Sequence, residues 1–413
     1  MTTLLAVVVL GLSAPSAATA SGVGPGFLFE LFDLLDDLFD RPHGRTVAPD
    51  ELGPWAVGRM TFEVVDPERS DRSLMVDVWY PVDEVDAVGP ASVYDLLFTG
   101  LESAVALDAP PVSSEGPFPL VAFSHGNNGI RFQSFFLTEH LASHGFVVVA
   151  PDHSGNTALD LISPGTPFEA RDRPLDIQLV ITRILERNAS AGDAFEGRVD
   201  PERIGVAGHS FGGFTTLAIG AGFDDVPPDD RVDALMPVSP VSTSFSDDEL
   251  ASIDLPTLVL GGTADVTTPL DPQSVLAFEG TSGLPRYRVD VHDAGHNSFT
   301  EICAFTDALI DVGLPPDLLG FLLGNADEGC GPELIDLAEA HRITNRYATA
   351  FMRVHVEGDF RYARHLTRAA SRREPVTFFK VSLFGTRCGL GGELAVAVPV
   401  LLTLRRMRRR TAA

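Results

Sequence analysis

The sequence predicts an α/β protein with a mostly parallel central sheet, helices on both faces, antiparallel strands at the start and a helical C-terminal extension. Two observations carry this prediction. Apolar runs of strand length alternate with helical segments between residues 119 and 296, and such runs are typical of parallel strands that are buried on both faces. Before them, "MTFEVVD" and "LMVDVWYPV" flank the turn-like "PERSDR", a pattern that predicts an antiparallel pair.

The remaining elements follow in order along the chain. The predicted strands of the sheet are "PLVAFSHG", "FVVVAPDH", "RIGVAG", "VDALMPVSP", "PTLVLGGTAD" and an edge-like "YRVDVHDAGH". The predicted helices are "SFFLTEHLASHG", which Gly145 closes, "PLDIQLVITRILERN", which Pro174 opens, and "FTTLAIGA". Beyond residue 300 a helical apolar stripe recurs at Ile343, Tyr347, Ala350, Phe351 and Val354.

Five segments are expected along the 413 residues. The apolar run Leu4–Leu12, followed by Ala18-Thr19-Ala20, predicts a signal peptide over residues 1–20. Residues 21–54 are predicted as an amphipathic helix ("GFLFELFDLLDDLFD") and a linker, and residues 55–358 as the α/β domain, with 301–358 as a helical part that could form a lid. A linker is predicted over 359–387.

The C-terminal segment 388–413 combines Cys388, a short apolar stretch and an arginine cluster. It is similar to C-terminal sorting tails, in which positive residues stay on the cytoplasmic side. We therefore expect an exported protein at the cell surface or outside the cell, with membrane contact only through this tail, and a monomer.

Charge and cysteine content narrow the function classes. The formal net charge is −27, which argues against nucleic-acid partners because the protein would repel phosphates. In an exported protein, Cys303 and Cys330 are expected to form a disulfide bond.

The chemistry centres on "RIGVAGHSFGGF", in which a predicted strand leads through Gly-x-Ser-x-Gly into a helix. This context predicts a strand-to-helix elbow that presents Ser210 as a nucleophile. Gly208 and Gly212 would allow the close approach of strand and helix. A serine needs a base within hydrogen-bond reach, and the base needs a third group that fixes its tautomer.

An acid and a base follow in the required chain order. Asp265 ends the buried strand "TLVLGGTAD", and His296 ends "RVDVHDAGH". Asp271 and Asp293 are alternative acids, but Asp271 lies farther from its strand end and Asp293 is too close to His296 in sequence. His292 is the alternative base, inside the strand.

An oxyanion hole is predicted from two backbone amides. One is the amide of Phe211, directly after the nucleophile, and the other is that of Asn127 in the loop "FSHGNNG". His125 and His209 are expected to brace the two loops. His140 and His144 stand four apart on one helix but lack the H-E-x-x-H pattern and an evident third ligand, so no metal site is predicted. No dinucleotide or phosphate motif is present, and no cofactor is expected.

The motifs together resemble a known family. "FSHGNNGIRFQSFFLTEHLASHGFVVVAPDH" with "RIGVAGHSFGG", "VWYPV" and "RPLDIQLVITRIL" looks like the platelet-activating-factor acetylhydrolase and dienelactone-hydrolase-like branch of the α/β-hydrolases. "GGTADVTTP" and "DAGH" are also similar to segments of bacterial cutinase-like polyester hydrolases. The resemblance covers about residues 55–300. It implies an α/β-hydrolase fold and a cofactor-free serine esterase with Ser210, Asp265 and His296 as its triad and the Asn127 and Phe211 amides as its oxyanion hole.

Two departures limit what the resemblance transfers. Dienelactone hydrolases use a cysteine nucleophile where this chain has serine. Some acetylhydrolases of the branch place the acid in the segment that reads "LMPVSPVS" here, which has no carboxylate.

The sequence thus predicts an exported serine hydrolase of carboxylic esters, acting on short-chain acyl or lipid esters through an acyl-enzyme. Four phenylalanines are candidates for the apolar walls of the substrate site: Phe132, Phe135, Phe136 and Phe214. Two alternatives stay open, an inactive hydrolase-fold protein that binds ligands at the surface and a serine peptidase on the same fold.

Overall fold

A computed structural model describes residues 47–382, apart from residue 97 and residues 161–165, 314–319, 321–323 and 325. The predicted signal peptide, the amphipathic helix after it and the C-terminal tail lie outside the described residues. Within them, no helix combines the length and the apolar composition that a membrane span requires.

The strands of the described part form one sheet. Its eleven strands are β1 (Ala56–Asp66), β2 (Arg72–Val82), β3 (Ala91–Asp95), β4 (Gly100–Asp108), β5 (Phe118–Ser124), β6 (Val147–Pro151), β7 (Val199–His209), β8 (Ala234–Val238), β9 (Thr257–Gly262), β10 (Arg286–Val291) and β11 (Val376–Val381). Their order across the sheet is β11-β10-β9-β8-β7-β5-β6-β2-β1-β4-β3.

The middle of the sheet is parallel, from β6 through β5, β7, β8 and β9 to β10. β1 pairs antiparallel with β2, and β2 with β6, so the predicted antiparallel opening is confirmed. Every residue of β5, β6, β8 and β9 is buried, as their unbroken apolar runs predicted. Parallel strands end at one edge of the sheet, and the loops that follow them can therefore build a site together.

Helices cover both faces of this sheet. They are α1 (Phe135–Ser143), α2 (Asp172–Ala189), α3 (Phe211–Ala221), α4 (Asp247–Ser252), α5 (Val275–Gly280), α6 (Ile302–Asp311), α7 (Leu337–Met352) and α8 (Arg368–Ser371). Alternate residues of β5 enter two separate cores, Val121 and Phe123 on the side of α1 and α7, and Leu120 and Ala122 on the side of α2 and α3. The predicted fold class is confirmed.

The C-terminal part of the chain differs from its prediction. The segment "YRVDVHDAGH" (287–296) was predicted as an edge-like strand, but β11 pairs antiparallel with the whole of β10, Arg286–Val291. β11 lies in the predicted linker 359–387, and Val376 and Phe378 are its buried positions. The strand was missed because its apolar residues alternate over only six positions. β3 and β4 were likewise not predicted.

The segment 301–358 was predicted as a helical part that could form a lid, but one of its helices belongs to the core. The apolar stripe of α7 is buried in the core, including Ile343, Tyr347 and Phe351, so this helix is part of the domain body. Cys303 and Cys330 are joined by a disulfide bond. Near this bond, a Cβ on Gly295 would lie 2.3 Å from the Glu328 carbonyl oxygen. The backbone two residues before Cys330 therefore packs closely against the residue before His296.

A buried ion pair ties α2 to the start of β2. Asp176 is fully buried and accepts two hydrogen bonds from Arg72, at 2.9 and 2.8 Å. The same carboxylate lies 3.0 Å from Nδ1 of the buried His153. Charges that leave water must be compensated within the protein, so each partner here depends on the other.

We expect Asp176→Ala to lower the free energy of unfolding by about 3–5 kcal/mol, because it leaves Arg72 buried without its counter-charge. Urea unfolding measures the change. The matched control is Asp225→Ala, which removes an exposed pair with Arg171 at 2.9 Å, and its effect should stay below about 1 kcal/mol. Equal effects of the two substitutions would contradict this account of the buried pair.

Candidate active site

Ser210 stands at a strained turn between β7 and α3. Its backbone has φ 58° and ψ −116°, a region that residues other than glycine seldom adopt. Its amide donates to the Val238 carbonyl oxygen at 2.9 Å, which fixes the turn against the end of β8. The turn projects the side chain away from the strand direction and toward the loops at the carboxyl edge of the sheet.

Two glycines make this turn possible. A Cβ on Gly212 would lie 1.9 Å from the Ser124 carbonyl oxygen, and one on Gly208 would lie 2.3 Å from the Gly212 oxygen. Any side chain at either position would therefore push the start of α3 away from the end of β5. The pattern Gly-x-Ser-x-Gly is explained by this close approach.

The structure brings the three residues of the predicted triad together. His296 Nε2 lies 2.8 Å from Ser210 Oγ, and His296 Nδ1 lies 3.0 Å from Asp265 Oδ2. All three side chains are buried. Asp265 follows β9 and His296 follows β10, and because these strands are parallel neighbours, the two loops emerge side by side.

Thr268, which the sequence reasoning missed, holds the carboxylate of Asp265. Its amide donates to Asp265 Oδ1 at 2.7 Å, and its hydroxyl lies 2.9 Å from Asp265 Oδ2 and 3.0 Å from His296 Nδ1. Burial alone raises the pKa of Asp265, but hydrogen bonds from His296 and Thr268 outweigh burial and lower it below its ordinary value. The carboxylate therefore stays ionised. The one signal for Thr268 in the sequence is its position three residues after Asp265, from which its amide can reach the carboxylate.

The predicted oxyanion loop lies against Ser210. A Cβ on Gly126 would lie 3.4 Å from Ser210 Cβ. The peptide between Gly126 and Asn127 is held by its carbonyl oxygen, which is 2.7 Å from His125 Nδ1 and accepts from the Gly129 amide at 3.1 Å. His125 Nε2 accepts the amide of His153 at 3.0 Å, so the ring proton sits on Nδ1, and the direction of the Asn127 N–H is set.

Phe211 supplies the other predicted amide. It is the first residue of α3, and the first amides of a helix have no partner within the helix. The helix N-terminus also carries a partial positive charge. Both features suit an amide that would face a developing negative charge.

The predicted apolar walls are partly wrong. Phe132 and Phe214 are 0% and 1% exposed, so packing in the two cores leaves them no surface for a substrate. Phe135 and Phe136 are half-buried, but Phe135 stacks on Tyr94 at 4.3 Å and Phe136 on His341 at 3.6 Å. In contrast, Val266, next to the acid, is 74% exposed.

The alternative acids and base lie elsewhere. Asp271, Asp293 and His292 are exposed. His292 Nε2 is 3.0 Å from the Thr377 hydroxyl of β11, and no hydrogen bond joins these three residues to Ser210 among the described contacts.

His140 and His144 connect α1 to the segment before β1. Their Nε2 atoms bond the carbonyl oxygens of Pro49 and Glu51, at 2.9 and 2.8 Å. Among the described residues, no three His, Cys, Asp or Glu side chains are placed to hold a metal ion.

A second Ser-His-Asp chain lies behind the oxyanion loop, and the sequence reasoning missed it. Ser124 Oγ is 2.9 Å from His153 Nε2, and His153 Nδ1 is 3.0 Å from Asp176. All three side chains are fully buried, and the guanidinium of Arg173 donates to the Ser124 hydroxyl at 3.2 Å. Burial and the cations Arg173 and Arg72 lower the pKa of His153 well below its usual range. These three hydrogen-bonded side chains support the oxyanion loop, and their burial leaves no access for a substrate.

Comparisons with known proteins agree with this architecture. A family model described as PETase, PET hydrolase-like, matches residues 110–307. Cutinase est1 of Thermobifida alba is 31% identical over 179 residues, which are 43% of this chain and 52% of the relative. A bis(hydroxyethyl) terephthalate hydrolase of Streptomyces coelicolor is 30% identical over 213 residues, 51% of this chain and 61% of the relative.

A chlorophyllase type 0 of Chenopodium album is 31% identical over 145 residues, 32% of this chain and 37% of the relative. The chain spans about half the length of the curated relatives it matches. The predicted resemblance to cutinase-like polyester hydrolases is confirmed, and the acetylhydrolase branch stays a prediction.

We expect Thr268→Val to raise the pKa of Asp265 toward its ordinary value, because one hydrogen bond to the carboxylate is lost. A carboxyl group with a lowered pKa stabilises the fold above the unfolded-state pKa of about 3.9, and this contribution is lost as the pH falls through the folded-state pKa. The variant should be about 1 kcal/mol less stable at pH 7, and the difference should narrow by pH 3. Urea unfolding at both pH values measures it.

The control is Thr344→Val, which removes a buried hydroxyl that donates to the backbone carbonyl oxygen of Ala340 at 2.8 Å, a partner that does not titrate. Its stability relative to wild type should not change between pH 7 and pH 3. A stability difference of Thr268→Val that is the same at both pH values would break the link to Asp265.

Proposed function

We propose that this chain, an α/β-hydrolase related to the polyester hydrolases, is a serine hydrolase that cleaves carboxylic esters through an acyl-enzyme. The observation that carries the proposal is the hydrogen-bonded chain from Ser210 through His296 to Asp265, with Ser210 at a strained elbow. Similarity to cutinases and a terephthalate ester hydrolase supports the same reaction class.

In the first half of the reaction, Ser210 Oγ attacks the ester carbonyl carbon while His296 Nε2 takes its proton. At 2.8 Å the base is already within hydrogen-bond reach. Asp265 accepts from Nδ1, which keeps the lone pair of Nε2 toward the serine and stabilises the imidazolium that forms. Because its pKa is lowered, Asp265 remains the anion that this role requires.

The carbonyl oxygen becomes negative as the tetrahedral intermediate forms. The amides of Asn127 and Phe211 are proposed to donate to it, from the loop after β5 and from the N-terminus of α3. Collapse of the intermediate expels the alcohol, which receives the proton from His296. A water molecule, activated by the same base, then releases the acid and restores Ser210.

The substrate class is proposed as short-chain acyl or lipid esters. Val266, the residue after Asp265, is exposed, which supports an apolar contact for the substrate near this loop. We also propose that the protein is exported and monomeric, acts without a cofactor and meets a membrane only through its C-terminal tail.

Ser210→Ala should abolish hydrolysis of p-nitrophenyl acetate while leaving thermal unfolding unchanged, because the hydroxyl is the attacking group and not a packing element. A fluorophosphonate probe should label wild-type protein at Ser210. Peptide mapping by mass spectrometry is decisive, since the buried Ser124 offers the same three side-chain types and should carry no label. Label on Ser124, or turnover by the variant, would contradict the mechanism.

A substrate panel tests the class. We expect p-nitrophenyl esters with acyl chains of two to eight carbons to be hydrolysed faster than the matching anilides. The panel also includes a phospholipid and a polyester film as candidate ester substrates. Faster cleavage of the anilides would favour the peptidase alternative. Absence of both label and turnover would favour a ligand-binding protein.

A further inference from the structure

Three buried hydrogen bonds join the loop after β5 to the loop after β10 beside Ser210. The Gly126 amide donates to Gln133 Oε1 at 2.9 Å, Gln133 Nε2 lies 2.9 Å from His209 Nδ1, and His209 Nε2 lies 2.8 Å from the His296 carbonyl oxygen. Both side chains are buried. We call these four groups the Gln133 relay.

The two ends of the relay fix the direction of every proton in it. The Gly126 amide can only donate, and the His296 carbonyl can only accept. Gln133 therefore turns Oε1 to Gly126 and its N–H to His209, and His209 is a neutral imidazole with its proton on Nε2. Only one arrangement of amide orientation and tautomer satisfies all three bonds.

The surroundings of His209 keep it neutral. Burial, together with the neighbouring His296, lowers its pKa to about 3. The titratable groups that face it are His296, with ring centres 4.7 Å apart, and Asp265. The ring of Phe299 covers another side at 6.4 Å.

The relay passes directly beside the nucleophile. A Cβ on Gly126 would lie 3.3 Å from Gln133 Oε1, 3.4 Å from Ser210 Cβ and 3.5 Å from His209 Nδ1. The backbone adds to the connection, because the Gln133 carbonyl oxygen accepts from the Glu301 amide at 2.8 Å. Gln133 therefore bonds both the oxyanion loop, through its side chain, and the backbone shortly after His296, through its carbonyl oxygen.

We infer that Gln133 is a positioning residue for ester hydrolysis, which acts through His209 to hold the Asn127 loop and the His296 loop at a fixed separation across Ser210. The inference rests on the proposed function. Neither side chain needs to touch the ester. Because the relay sets where base and oxyanion donor stand relative to the nucleophile, its loss lowers kcat and leaves KM nearly unchanged.

The test is Gln133→Glu. The new carboxyl group still accepts from Gly126, but when ionised it has no proton for His209 Nδ1, and two lone pairs then face each other. One added proton restores the relay, whether the carboxyl group or His209 carries it, and the new negative charge raises the pKa of His209. Protonation therefore repairs the variant, and deprotonation breaks it.

We expect kcat of Gln133→Glu on p-nitrophenyl acetate to be about tenfold to a hundredfold below wild type at pH 8. The ratio of wild-type to variant kcat should shrink steadily toward pH 5, with KM within about twofold of wild type throughout. A purely structural weakening would not produce this pH dependence.

Two variants serve as controls. Gln178→Glu makes the same substitution on α2, where Nε2 donates to the Pro227 carbonyl oxygen at 2.9 Å, and should match the wild-type pH profile. Gln133→Met removes both bonds of the side chain and should lower kcat by a constant factor at every pH. A variant-to-wild-type ratio that is flat for Gln133→Glu, or wild-type kcat in Gln133→Met, would overturn the inference.

A measurement on the wild-type protein does not depend on the variants folding. Nitrogen-15 NMR of the histidine rings should find His209 with its proton on Nε2 and without titration between pH 5 and pH 8. A proton on Nδ1, or titration in this range, would also overturn the inference. If the wild type shows neither ester turnover nor label on Ser210, the proposed function has failed, and the NMR result still decides the relay.

Discussion

The contact between the start of α3 and the end of β5 is the constraint on which the site depends. The Ser124 carbonyl oxygen fills the place where a Cβ on Gly212 would stand. This approach puts the Ser210 turn and the Gly126 loop within van der Waals distance. The strained backbone of Ser210 is tolerated because strands on both sides of β7 hold it.

A shell of buried polar groups supports this contact from behind. Arg173 donates to the His125 carbonyl oxygen and to the Ser124 hydroxyl, and Asp176 balances the charge of Arg72 and bonds the ring of His153. Burying these charges costs free energy, so the network is weak evidence for stability and better evidence for a defined geometry. The same three side-chain types thus occur in two different surroundings. Ser124 is fully buried beside the guanidinium of Arg173, whereas Ser210 lies at the carboxyl edge of the sheet, where the loops converge.

His296 is held from several directions at once. Asp265 and Thr268 fix its ring, His209 bonds its carbonyl oxygen, and Gly295 before it is pressed by Glu328 near the disulfide bond. The proposed role of His296 as a general base requires such placement, since its reach to the serine must hold within fractions of an ångström. The elements beyond residue 300 therefore belong to the architecture of the site as well as to the fold.

The sequence by itself determined the fold class and the three residues that the structure brings together, Ser210, Asp265 and His296. It also determined that each of them follows a different strand of the parallel part of the sheet. These are local signals: unbroken apolar runs mark strands buried on both faces, and glycines mark the elbow. Tertiary structure alone decided that β11 closes the edge beyond β10, that Phe132 and Phe214 belong to the cores, and that Thr268 and Gln133 bond the site residues. A hydrogen bond between residues 76 positions apart, as between Gln133 and His209, leaves no periodic pattern in the chain, because only packing brings its two ends together.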